Sequence, residues 1–199
     1  MKIYDISQEV FSCVVFPGDP APKREILAKL EAGDVCNLTA FSMCAHNGTH
    51  VDAPYHFLND GVTVDQMSLA NTVGYAYLAE HDGAVTAEDA KAILNRAGAT
   101  LPESARRILL KGRATVSAAA ARVFAEAGIL LLGNESQTVG PEEAPREVHL
   151  ILLSAGVTLL EGIRPREATE GVYLLSAAPL SLGGADGAPC RALLIDPEQ

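Results

Sequence analysis

The sequence predicts one α/β domain spanning residues 1–199. Short apolar runs alternate with capped helical stretches along the whole length, and no shift in composition marks a linker. The composition agrees: 48% hydrophobic and 20% charged residues suit a chain that buries a substantial core.

From the N-terminus, residues 3–6, 36–44 and 73–79 read as strands, short apolar or alternating runs rich in β-branched and aromatic side chains. Thr86 with Asp89 has the capping-box pattern and Gly98 supplies a stop, which predicts a helix of about a dozen residues. A strand at 107–111 follows, then a helix at 118–127 capped by Ser117 and closed by Gly128. After a strand at 129–132, Pro141-Glu142-Glu143 and again Pro145 suit a helix start, with proline in the first turn and acids near the positive end of the dipole. That helix runs to about Ala155, stops at Gly156 and carries His149. Strands at 157–160, 172–176 and 192–195 complete the chain, and Glu161 ends the first of them.

Residues 46–56 hold three of the five histidines and one aspartate, an imidazole and carboxylate set suited to zinc, with manganese or iron possible at such a site. His46, His50, Asp52 and His56 all fall on even positions, so an extended chain turns them to one face. A helix would place Asp52 ~200° around from His50. Four extended residues span ~13 Å, near the limit for two imidazoles on one ion, and the turn-forming Asn47-Gly48 can shorten that gap. His56 lies further along and past Pro54, which makes it a neighbour of the metal rather than a ligand.

The formal charge of −10 argues against a nucleic-acid partner. No apolar run reaches the ~18 residues of a membrane span, and Asp5 interrupts any N-terminal signal pattern, so the expected address is the cytoplasm. Cys13, Cys36, Cys44 and Cys190 form no Cys-x-x-Cys pair and read as reduced thiols. His81 reads as a solvated loop residue beside Asp82-Gly83, and Gly183 to Gly187 as a tight turn that lacks the ending of a phosphate loop. Whether that loop, Cys44 or Gln137 lines the site is left open by the sequence.

The run His46-x-Gly48-Thr49-His50-x-Asp52-x-Pro54-x-His56 resembles the motif of the cyclase family, whose best-known members are bacterial kynurenine formamidases. Pro17-Gly18-Asp19, His149 followed by Glu161, and the stretch from Gly183 to Pro189 agree with the same family. The resemblance implies a swivelling β/β/α fold with a mixed sheet and flanking helices, a homo-oligomer (dimer or tetramer) and metal-dependent hydrolysis. It implies one zinc held by His46, His50 and Asp52, a second held by Asp52, His149 and Glu161, and His56 as proton donor and acceptor. Phe16 stands where the formamidases carry a substrate-contacting tryptophan, and the chain contains no tryptophan. Residues 134–139 also differ from the formamidase pattern, so N-formylkynurenine is one candidate substrate among small amides, formamides and lactams.

The expected chemistry is attack of metal-bound hydroxide on the carbonyl carbon, with His56 moving the proton. The alternative is a metal-stabilised scaffold or small-ligand-binding protein without turnover. Structural zinc sites favour closed, cysteine-rich shells, whereas this ligand set is oxygen-rich and open.

Overall fold

The structure, a computed structural model, describes residues 1–196; residues 197–199, the end of the predicted domain and the tail after the last strand, lie outside the described residues. Its strands are β1 (Lys2–Asp5), β2 (Lys23–Ala28), β3 (Leu38–Ser42), β4 (His50–Asp52), β5 (Val73–Glu80), β6 (Gly83–Val85), β7 (Arg107–Lys111), β8 (Ala114–Val116), β9 (Leu131–Asn134), β10 (Thr158–Glu161), β11 (Gly171–Ser176), β12 (Gly187–Pro189) and β13 (Leu193–Asp196). Three helices join them: α1 (Ala87–Thr100), α2 (Ala118–Glu126) and α3 (Arg146–Ser154).

Nine strands form one mixed sheet in the order β1-β13-β11-β5-β7-β9-β10-β4-β12. Its centre, β5-β7-β9-β10, is parallel and both flanks are antiparallel. The period-two alternation of side chains divides the core. Tyr77, Ala79, Ile108, Leu110, Leu132 and Leu159 pack on the helical side with Ile93, Phe124 and Leu152. Ala76, Leu78, Leu109, Leu131 and Leu160 pack on the other side with Tyr173 and Leu175. Central strands buried on both faces explain the continuous apolar runs by which the sequence announces them.

The predicted helices form, with two shifts. Thr86 and Asp89 close a capping box on α1, and Ser117 caps α2. Gly98 does not stop α1, because it is absent from the positive-φ glycines and stays helical. The stop comes from Pro102, which forces Leu101 into an extended conformation (φ −153°, ψ 114°). α3 starts at Arg146 rather than Pro141: Ala144 N–H donates to Pro141 O in a turn, and Pro145 is the N-cap.

The predicted strand at 36–44 is realised as β3, which pairs with β2 in a separate two-stranded hairpin rather than joining the main sheet. β2, β6, β8 and β12 have no counterpart in the sequence reading. β6 and β8 are three-residue partners of one another, and β12 is an edge strand ending in proline, too short for periodicity to register.

Candidate metal centre and active site

The extended reading of residues 46–56 holds only at its middle. β4 covers His50 to Asp52, Pro54 to His56 form a 3-10 turn, and His46 sits inside a turn closed by Asn47 N–H donating to Cys44 O, after which Gly48 adopts φ 67°. The shared face therefore comes from His50 and Asp52 as alternate strand residues, while turns on both sides bring His46 and His56 back toward them. A proline at the first position of the 3-10 turn fits its missing N–H and sets the bend.

Long-range pairing supplies the rest. β4 lies antiparallel to β10 in a register that puts His50 opposite Glu161 and Asp52 opposite Leu159. Glu161 thus projects toward α3, from which His149 descends, and Oε1 of Glu161 accepts a hydrogen bond from Val139 N–H at 2.8 Å. Immediately after Glu161, Gly162 has φ +71°, and a Cβ there would lie 2.3 Å from Gly48 O and 2.2 Å from Gln137 Nε2. Only glycine lets the strand end close up against the 46–56 segment at that point.

His46, His50, Asp52, His149 and Glu161, spread over more than a hundred positions of sequence, meet in two overlapping donor groups: His46, His50 and Asp52, and Asp52, His149 and Glu161. Within each group the candidate ligand atoms lie within 4.8 Å of one another. Nε2 of His50 is 3.4 Å from Asp52 Oδ1 and 3.4 Å from Glu161 Oε2; Nε2 of His149 is 3.3 Å from Glu161 Oε1 and 3.6 Å from Asp52 Oδ2. These separations are long for hydrogen bonds but match the ~3.4 Å between neighbouring ligands of a tetrahedral ion with ~2.1 Å bonds.

Two further observations favour a cation. Asp52 is fully buried, yet its Oδ2 has no hydrogen-bond partner among the described residues, a costly state for a buried carboxylate oxygen. His50 and His149 also turn their Nδ1 atoms to backbone carbonyls, Gly48 O at 3.0 Å and Pro145 O at 2.8 Å, which leaves both Nε2 atoms aimed at the carboxylates. The residues present fit a divalent metal.

The electrostatics without a cation show what it would replace. Burial disfavours charge on His50, but the Asp52 and Glu161 carboxylates facing its Nε2 prevail and push its pKa up to about 10. His149 is raised to about 9 against the same burial, chiefly by Glu161. Burial pushes the Asp52 carboxyl upward, but His46 and His50 beside it hold it well below the usual carboxylate range.

The centre opens onto a pocket of about 210 Å³ lined by Phe16, Asp19, His56, Phe57, Gln137 and Thr138 among others. His56 and Phe16 therefore stand at the cavity beside the cluster. Gln137 also faces it, donating from Nε2 to Gly48 O at 3.1 Å while its buried Oε1 has no partner among the described residues. Cys44 is half-buried, absent from the pocket lining and 3.8 Å from Asp19 Oδ2, so it is neither a site residue nor a buried core thiol. Phe57, in edge contact with His56 at 4.7 Å and tilted over His149 at 4.6 Å, went unnoticed in the sequence, where an apolar residue after a histidine carries no signal. Asp186, in the loop whose place the sequence left open and not singled out there as a site residue, has its Oδ2 2.9 Å from His46 Nε2 and 3.0 Å from His56 Nδ1, so that His46, His56 and Asp186 form a third close donor group.

Fold and site together define an α/β protein with a buried histidine–carboxylate centre suited to a divalent metal. The family model described as putative cyclase matches residues 4–141. A kynurenine formamidase of Salinibacter ruber is 31% identical over 210 residues, covering 98% of each chain. Among solved structures, a potential metal-dependent hydrolase with cyclase activity superposes with a TM-score of 0.80 at 28% identity, covering 97% of this chain and 96% of the other. Isatin hydrolase A from Labrenzia aggregata shares the fold, with a TM-score of 0.79 at 21% identity over 97% of this chain and 93% of its own. The chain belongs to the cyclase family.

Proposed function

We propose that this protein hydrolyses the C–N bond of a small amide, formamide or lactam at a divalent metal centre, with N-formylkynurenine among the candidate substrates. Full-length likeness to kynurenine formamidases and to a metal-dependent hydrolase makes it an arylformamidase-like hydrolase. The observation that carries the reading is the open side of the centre: donors for a cation form one wall of the pocket and His56 another. The family match ends at residue 141, but His149, Glu161 and the last strands belong to the same sheet and site, so residues 1–199 are taken as one domain.

His46, His50 and Asp52 would hold one ion, and Asp52, His149 and Glu161 a second, with Asp52 common to both groups; zinc suits this nitrogen and oxygen set best, and manganese is the alternative. A cation there supplies Lewis acidity, lowering the pKa of a water toward ~7 and polarising a carbonyl. His56 receives the proton of the attacking water and delivers it to the departing nitrogen, so the C–N bond breaks to a carboxylic acid and an amine. Phe16 and Phe57 give the pocket apolar walls that seat the acyl compound and limit water around the reacting carbon.

The test is a panel of aryl formamides, lactams and esters assayed on zinc-loaded, manganese-loaded and chelator-treated protein. Metal-dependent amide cleavage is expected, abolished by chelation and restored by the ion. Tight binding without turnover would favour the scaffold reading instead.

Association is read from the hairpin. Ile26, Leu27, Leu38 and Phe41 on β2 and β3 are exposed, and Phe41 meets Phe11 edge to face at 6.4 Å above a groove of about 700 Å³. Such a patch fits a second copy of the chain, so the protein is taken as a homo-oligomer, dimer or tetramer. Light scattering should find an oligomer at micromolar concentration, and Leu38→Asp with Phe41→Asp should reduce it to monomer; a monomeric wild type overturns this reading. No helix among the described residues is long and apolar enough to cross a membrane. A cytoplasmic address is proposed from the four free cysteines, one of them exposed, which suit a reducing compartment.

A further inference from the structure

We propose that Asp186 is the positioning residue of this site, one carboxylate oxygen that sets the tautomer and orientation of both His56 and His46. The inference rests on the reading of His56 as the proton carrier. An ionised carboxylate only accepts hydrogen bonds, so the two contacts at Oδ2 require protons on His46 Nε2 and His56 Nδ1. The nitrogen left free on His56 is then Nε2, the atom that must take a proton from water, while Nδ1 of His46 lies 2.9 Å from Asp52 Oδ1 within the first donor group, where a bound cation would stand in for the proton this contact otherwise requires.

The same oxygen ties the rings together. His46 and His56 stack with centroids 4.0 Å apart and planes 29° from parallel, so a shift of either imidazole is resisted by its neighbour. The backbone holds Asp186 in place. Its carbonyl accepts from Ala53 N–H at 2.9 Å, and the next residue, Gly187, pairs with Asp52 across β12 and β4. A Cβ on Gly187 would lie 2.7 Å from His46 Cε1, so the edge strand is shaped to let the imidazole lie against it. The arrangement joins a carboxylate–histidine pair at the proton carrier to a carboxylate behind a metal ligand, two devices that orient imidazoles elsewhere.

The experiment compares zinc-loaded wild type, Asp186→Asn and Asp186→Glu by imidazole ¹⁵N–¹H correlation spectra, zinc content, and kinetics on the best formamide of the panel. Asp186→Asn is expected to move His56 from a single Nδ1–H tautomer to a mixture and to lower kcat about 10- to 100-fold with KM within about twofold. Zinc content should stay at the wild-type level, and Asp186→Glu should recover part of kcat. An unchanged His56 tautomer overturns the proposal, as does a rise in KM alone, which would mean substrate contact. Loss of zinc from both variants would make Asp186 a ligand and also overturn it. Should Asp186→Asn fail to fold, Asp186→Glu decides by the same spectra. Absence of wild-type turnover would instead defeat the functional reading, while the tautomer still decides Asp186.

Discussion

Replacing His56 by alanine is expected to lower kcat by about 10²–10⁴-fold while bound metal remains close to the wild-type level. His56 sits at the pocket with Nδ1 committed to Asp186, and it belongs to neither of the donor groups built around Asp52. On the proposed reading, removing it takes away the proton carrier and leaves the ligands in place. Metal analysis beside steady-state kinetics checks this, and KM should change less than kcat because the lost interaction forms as the proton moves. A variant that loses its metal along with its activity would make His56 a ligand.

Asp52→Ala should have the opposite signature, with metal and activity lost together. Asp52 belongs to both donor groups, it is buried, and its Oδ2 has no partner among the described residues. Removing it withdraws an oxygen from each group and leaves His46 and His50 without the carboxylate that holds them. Metal stoichiometry should fall to a small fraction of wild type and turnover by about 10³-fold or more, since a bound cation contributes several kcal/mol to such a reaction. Added zinc should not restore the rate, in contrast to chelated wild type, where it should. A variant that keeps a full complement of metal would remove Asp52 from the centre.

Elements that depend on local signals were legible in the chain. The caps at Thr86 and Ser117 and the apolar runs of β5, β7 and β10 declare themselves because capping and burial act over a few residues. Gly98 misled because a glycine ends a helix only when it adopts the left-handed conformation, and here the following proline makes the stop. The motif at residues 46–56 was visible as chemistry, but its geometry was not: alternation along an extended chain describes His50 and Asp52, whereas His46 and His56 reach the site through turns.

The composition of the centre, then, was already written in residues 46–56, since imidazoles and a carboxylate at that density serve little in ordinary packing. Local reading could not join His149 and Glu161 to them: each alone resembles a common semi-buried histidine or strand-end acid, and only the family resemblance proposed the link. The antiparallel register of β4 on β10 and the descent of α3 bring them within reach. Asp186 depended wholly on that assembly. An acid in a glycine-rich turn has no distinguishing local pattern, and it meets His46 and His56 only because the edge strand β12 pairs with β4 across more than a hundred residues of intervening chain. Ligand type is a property of side chains, whereas their convergence is a property of strand pairing, which is set by burial summed over the whole sheet.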